Sequence, residues 1–373
     1  MEPRRVYLDY NATAPLLPAA RDAICAALDG GFGNASSGHW AGRAAHALVT
    51  EARAEVAALV AAEPDQVVFT SGATEAITQV VWSAGPGRVV ASAVEHPAVV
   101  GALANLGSRD LDQVPMPPHR PIDPDAVLAR VDDGPPPALV AVMAANNVTG
   151  ILNPVEALIE PLRERGVPLL VDAVQRAGKL PITLAPDYLV VTGHKIGGPK
   201  GVGALIRRPG APLRPMFVGG GQERGHRAGT EPVHLIAGFG AAARAVREGL
   251  PAMAARYRRL RDRLEAGLLA ALPGAFTVGA EAPRLPNTLN LVLPEGAWAF
   301  ALSDALDARG LALSAGSACH ARATQPAEVL LATGLSPDEA LRALRLSVGH
   351  GTSEADIDAA LAILPEVVRA ATA

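Results

Sequence analysis

Six short aliphatic runs recur between residues 66 and 208: QVVFT at 66–70, RVVAS at 88–92, ALVAVMAA at 138–145, PLLVDA at 168–173, DYLVVTG at 187–193 and VGALIRR at 202–208. Each has strand length and is too continuously apolar to leave one face in water. Between them lie stretches such as ATEAITQVVWSA and VEALIEPLRERG, whose apolar residues repeat at helical spacing. Strands and helices in alternation predict an α/β fold, a mostly parallel sheet with helices on both faces. Composition agrees, since 49% of residues are hydrophobic but only 3% aromatic. The apolar surface is mainly Ala, Val and Leu, which suits Ala-rich helices on aliphatic strands.

At 373 residues the chain is long for one domain. The expected division is a large domain over residues 13–245 and a smaller α+β domain from residues 1–12 plus 246–373. The pattern from Pro232 to Leu272 predicts one long, largely exposed helix, or two joined, bridging the two. Beyond it come NTLNLVLP, a helical AFALSDALDARG, the apolar LALSAGSA, the strand LRLSVG and a last helix from about Ser353. Segments 115–124 and 134–137, rich in Pro and Gly, read as surface loops.

A net charge of −4 with no basic stripe argues against nucleic acid or an anionic membrane as a partner. The N-terminal MEPRRVYLDYNATAP meets Asp9 and Asn11 before an apolar run of signal-peptide length develops, and no stretch reaches the roughly 18 apolar residues of a membrane span. A cytoplasmic protein is expected. Cys25 and Cys319 are too few for a disulfide scaffold and too far apart for a metal motif, so no metal is expected. Cys25 sits in the helical pattern AARDAICAALDG and reads as a core or helix-face residue.

Of 33 basic residues only Lys179, Lys195 and Lys200 are lysine. A lysine amine can lose its proton and act as a nucleophile, whereas arginine cannot. Lys179 and Lys200 read as surface residues. Lys195 reads as chemical, because in DYLVVTGHKIGGPKGVGALI a strand delivers Thr192, Gly193, His194 and Lys195 into glycines that let the backbone pass close to a bulky ligand. Thr192 and His194, as alternate residues, can face one side together. In VVFTSGATEAITQ a strand runs through Ser71-Gly72-Ala73-Thr74 into a helix, whose free N–H groups would cradle a phosphate; an ordinary N-capped turn has the same residues. PLLVDAVQ sets Asp172 and Gln175 at the end of a strand, where α/β sheets collect ligands. Asp172 there could keep a pyridine nitrogen protonated, or simply cap a helix. In LALSAGSACHARATQP, Cys319 follows small residues and precedes His320 and Arg322, which would lower a thiol pKa.

In order and approximate spacing, YLDYNATAP, FGNASSGH, FTSGATEA, EHPAV, VDAVQ, TGHKIGGPKGVGAL, GGGQERGHRAGTEP, SAGSAC and LRLSVGH resemble the group I cysteine desulfurases, the NifS/IscS-like family, over nearly the whole chain. The resemblance implies an aspartate-aminotransferase-like subunit of pyridoxal 5′-phosphate (PLP) fold-type I, working as a homodimer. L-cysteine would give up its sulfur as a persulfide on Cys319, leaving L-alanine, and a sulfur-acceptor protein would take the sulfur for iron-sulfur cluster assembly, tRNA thiolation or a similar end. Lys195 resembles the Schiff-base lysine and His96 the histidine that stacks on the ring and moves protons. Asp172 resembles the partner of the ring nitrogen, while Asn147 and Gln175 match residues around the ring oxygen. Ala73, Thr74, Thr192 and His194 resemble the phosphate site, completed by Thr230 of a neighbouring subunit. Arg345, with Asn34, resembles the substrate carboxylate site.

The chain departs from the family pattern in four places. Val148 stands where a glutamate is common, so a carboxylate close to the cofactor would be missing. Gln222 stands for a histidine, His350 for an arginine and Thr192 for a serine. The chain also ends soon after its last helix, without the longer extension some members use to dock an iron-sulfur scaffold. Other class V enzymes such as a selenocysteine lyase, or a weakly active sulfur-relay protein, remain alternatives. A Rossmann-type nucleotide binder lacks its G-x-G-x-x-G after the first strand.

Overall fold

The structure is a computed structural model that describes residues 4–105, 110–315 and 325–372; Cys319, His320 and Arg322 lie outside them. All six expected strands form, within a seven-stranded sheet ordered Val67–Thr70, Gly203–Arg207, Tyr188–Thr192, Leu169–Asp172, Leu139–Met143, Val89–Ser92 and Leu111–Val114. Only Gly203–Arg207 runs against its neighbours. The seventh strand, LDQV, escaped the sequence reading. It is an edge strand paired only to Val89–Ser92, so polar Asp112 and Gln113 are tolerated there and the apolar signal is lost.

A second, antiparallel sheet joins Ser314–Ala315, Ala343–Ser347, Thr288–Val292 and Phe276–Thr277. Helices Ala299–Ala308 and Glu354–Thr372 help close its core with Leu289, Leu291, Leu344 and Leu346. Val6–Tyr7 pairs in parallel with Leu311–Ala312, and Val6 and Leu8 belong to the same core. The N-terminus is thus tied to this second unit.

Val233–Ala271 is one 39-residue helix, about 58 Å long at 1.5 Å per residue. It is not largely exposed, contrary to expectation. Its first half buries Ile236, Phe239 and Val246 in the large core, and its second half buries Leu260, Leu264 and Leu268 in the small one. Most of the arginines that suggested exposure lie on the remaining face, several in ion pairs, whereas Arg261 is buried. Gly240 lets this helix approach Trp40–Leu59, because a β-carbon there would stand 2.5 Å from the Ala52 Cα. The expected division after residue 245 falls inside this helix. No helix among the described residues is long and apolar enough to cross a membrane.

Candidate active site

The strands ending at Thr70, Ser92, Met143, Asp172 and Thr192 deliver the chemically interesting side chains to one edge of the large sheet, and the turns beyond them hold the rest. After Thr192 the chain makes one tight helical turn, Gly193–Lys195. Only glycine fits at 193, where a β-carbon would lie 2.9 Å from the Pro199 carbonyl. The turn aims Lys195 at the N-terminal strap, and its Nζ donates to the carbonyls of Asn11 and Ala12, both at 2.7 Å. The strap is fixed in turn by the small unit: Asn11 N–H donates to Ser347 Oγ at 2.9 Å, and Asn11 Nδ2 to Thr288 Oγ1 at 2.9 Å.

Asp172 is 8% exposed, and its Oδ1 accepts the Val174 N–H at 2.9 Å. Burial pushes this carboxyl up, while the Val174 bond and the charges of His96 and Lys195 pull it down. His96 is lowered by burial first and then by Lys195, with Asp172 opposing. These three expected residues therefore share one electrostatic neighbourhood. Around neutral pH His96 is mainly an uncharged ring, able to take or give a proton. Its Nδ1 accepts the Ala98 N–H at 3.1 Å.

Beside them lies Glu95, which the sequence reading passed over. Its Oε1 accepts from Ser92 Oγ at 2.5 Å and Met143 N–H at 2.8 Å, and its Oε2 is buried without a partner among the described residues. Burial pushes this carboxyl from 4.5 up to about 8, helped by Asp172. The folded protein thus keeps a proton that the unfolded chain releases. The associated stability is fully present below pH 4.5 and is lost as pH rises through 8. Glu95→Gln retains both accepted bonds and cannot ionise. It is expected to raise the thermal midpoint by a few degrees at pH 9 and by little at pH 5; equal gains at both, by calorimetry, would contradict this account.

Gln175 Nε2 donates to the same Asn11 carbonyl at 3.0 Å. Arg345, in the strand Ala343–Ser347, is fully buried. It donates to Asp9 Oδ1 at 2.6 Å, Ser314 Oγ at 2.8 Å and the Asn147 carbonyl at 3.2 Å, while its Nε is left without a partner among the described residues. A buried guanidinium with an unused donor is suited to a carboxylate. Among the described residues Asn34 forms no hydrogen bond with it. That side chain is exposed and turns back on its own loop, its Oδ1 accepting the Ser36 N–H at 2.9 Å.

The expected phosphate residues come from three segments, and Gly203 pairs with Thr192 and lies against Gly72. Ala73 and the exposed Thr74 open the 11-residue helix Ala73–Ser83, whose N-cap Gly72 supplies no side-chain cap and faces open space. The Thr192 hydroxyl donates to the Val202 carbonyl at 3.1 Å. His194 Nδ1 lies 3.3 Å from Thr13 Oγ1, and burial with the nearby Lys195, Lys200 and Lys179 charges lowers its pKa to about 4. His194 is therefore neutral and can offer hydrogen bonds but no charge. Thr230 is exposed on the segment 217–230. That segment is anchored at Glu223, whose carboxylate pairs with Arg53 at 2.5 and 2.7 Å and accepts the Phe69 N–H at 2.8 Å. The anchor holds Glu223 and Arg224 at φ values of 49° and 56°, in the left-handed region.

A phosphorylated pyridine aldehyde needs an amine for its carbonyl carbon, a carboxyl for its ring nitrogen and N–H donors for its phosphate. Lys195, Asp172 and the uncapped helix end beside Gly72 have that chemistry, so the residues present fit the group. Comparison with known proteins decides the family. A family model described as aminotransferase class-V matches residues 6–360, and a cysteine desulfurase of Cereibacter sphaeroides is 42% identical over 98% of this chain and 96% of its own. The chain belongs to the class-V aminotransferase family, in its cysteine desulfurase branch. A solved NifS-like protein superposes with a TM-score of 0.90 at 30% identity, covering 98% of this chain and all of the other. A structure titled SspA in complex with cysteine superposes with a TM-score of 0.79 at 28% identity, over 92% and 99% of the two chains. Class-V aminotransferases are PLP enzymes, and the fold expected from the resemblance is the one observed.

Val148 packs in an apolar cluster with Val278, Val292, Leu330 and Leu335. One expectation needs correction. Lys179, taken for a surface residue, is 4% exposed, whereas Lys200 is exposed as expected. His350 packs edge-on against Tyr10, and Gln222 Oε1 accepts the Gly229 N–H at 3.1 Å. Cys25 is exposed on its helix.

Proposed function

We propose that the chain carries out its desulfurase reaction with PLP bound at Lys195, taking sulfur from L-cysteine as a persulfide on Cys319 and releasing L-alanine. The observation that carries this reading is the placement of the Lys195 amine beside Asp172 and His96 at the C-terminal ends of the parallel strands.

Lys195 would hold the cofactor, Asp172 its ring nitrogen, Gln175 and Asn147 its ring oxygen, and His96 its ring face. Ala73, Thr74, Thr192 and His194 would take the phosphate, and the bond from Thr192 to Val202 must turn over for its hydroxyl to donate there. When bound, PLP supplies a protonated ring that accepts the electron pair left on the substrate α-carbon. Arg345 pairs with the substrate carboxylate, using its free Nε. Lys195 removes the α-proton and returns a proton nearby, with His96 as the second proton carrier. The Cys319 thiolate attacks the substrate sulfur: an S–S bond forms, the C–S bond breaks, and its electron pair stays on carbon, which takes a proton to become alanine. Cysteine and a thiol thus give alanine and a persulfide.

The persulfide sulfur passes to a sulfur-acceptor protein. The cytoplasm, which keeps thiols reduced, suits this chemistry. The working form is a homodimer in which Thr230 completes the phosphate site of the other protomer, and the exposed Phe32, Trp40, Phe217 and Val218 support such an interface. The test is alanine and sulfide release from L-cysteine by the PLP-loaded protein with a thiol reductant. Equal amounts of both are expected; neither product from a visibly PLP-loaded protein would overturn the reading.

A further inference from the structure

Lys179 is one of three lysines in the chain, yet it is almost fully buried. Its Nζ lies 3.4 Å from Gln175 Oε1, Gln175 Nε2 donates to the Asn11 carbonyl at 3.0 Å, and Lys195 Nζ donates to that same carbonyl at 2.7 Å. Two amines therefore flank one amide and one carbonyl in an unbroken row. No carboxylate among the described residues forms an ion pair with Lys179. A buried cation without a counter-ion is costly, and burial, then the Lys195 charge, lowers the Lys179 amine to about 7. Lys179 in turn lowers His194. A methionine would fill the same space without that cost, so packing alone gives no reason for an amine here.

We propose that Lys179 is a positioning residue for the desulfurase reaction: by donating to Gln175 Oε1 it fixes the Gln175 amide with its NH2 group turned toward the Asn11 carbonyl and Lys195. Without a donor behind it, the amide keeps only its bond to the Asn11 carbonyl and can swing about that single tether. The donor intended for the cofactor's ring oxygen is then poorly held. This inference rests on the reading of Gln175 and Lys195 as cofactor residues.

Lys179→Met removes the amine with little change of shape and leaves no charge buried, so the fold should persist. Two quantities are measured, PLP affinity of the cofactor-free protein and kcat/KM for alanine formation, in a double-mutant cycle with Gln175→Met. Lys179→Met alone should weaken each about tenfold, the size of one hydrogen bond. In the Gln175→Met background it should cost less than about twofold, because its partner is gone. Losses that add would show that Lys179 does not act through Gln175, and an unchanged affinity in the single variant would also overturn the proposal.

A second readout needs no cofactor. Three lysines give three side-chain signals in protein labelled with 13C at lysine Cε, and the Lys179 signal should titrate near neutral pH, facing Lys195 and His194. It should move in Gln175→Met while the Lys200 signal does not; a Lys179 signal indifferent to Gln175 would sink the proposal. Should the wild-type protein make no alanine, the functional reading falls while this titration still decides the link between Lys179 and Gln175.

Discussion

Lys195→Ala is expected to remove the visible absorbance of PLP-loaded protein and to lower alanine formation by at least about 10³-fold, since it deletes both a covalent anchor and a general base. The geometry explains why no other residue can take over. Lys179 sits behind Gln175 rather than beside Asp172, Lys200 faces solvent, and every other basic side chain is an arginine or a histidine. The Asn11 and Ala12 carbonyls that hold the Lys195 amine would lose a donor, a modest cost next to the chemical one. Absorbance spectra and alanine assays on the purified variant check this. A persistent band would mean that the cofactor is held elsewhere, and the site as drawn here would be wrong.

Cys319→Ser is expected to behave in the opposite sense. It should keep the absorbance, still change its spectrum on addition of L-cysteine, and form alanine and sulfide at less than about a thousandth of the wild-type rate, because a serine hydroxyl is a far weaker nucleophile toward sulfur. Cys25 offers no substitute. It lies on the helix Pro18–Gly30, which packs against the Val233–Ala271 helix, and not at the strand ends. Mass spectrometry of wild-type protein after one turnover should find one added sulfur on the Cys319 peptide. Near-normal sulfide release by Cys319→Ser would show that sulfur leaves without that intermediate.

The large sheet was legible because its central strands are buried on both faces and therefore continuously aliphatic; Leu169–Asp172 and Tyr188–Thr192 read directly. Leu111–Val114 did not, since an edge strand needs no such run. Among the proposed site residues, the positions of Lys195 and Asp172 at strand ends followed by turns were legible. Arg345 needed the family resemblance, because a lone arginine in a strand carries no signal of its burial. Lys179 was misread outright: scarcity of lysine pointed to it, but nothing in AGKL tells that Gln175, four residues earlier, turns inward beside it. The Arg53 and Glu223 pair joins residues 170 apart in sequence, and such a pairing has no local pattern at all. The missing carboxylate at Val148 was legible only by comparison with the family pattern, and nothing local announced that its side chain packs in an apolar cluster.

The N-terminal strap has a consequence for how the protein is made. Asn11 supplies the carbonyl that receives Lys195, yet its own N–H is held by Ser347, 336 residues later. Contacts of such sequence separation form late. A nascent chain that has already built its large parallel sheet still lacks the support that fixes its reactive amine until the strand Ala343–Ser347 has been translated. A chain lacking Ala343–Ser347 would lose the Ser347 bond that holds Asn11 in place beneath the amine.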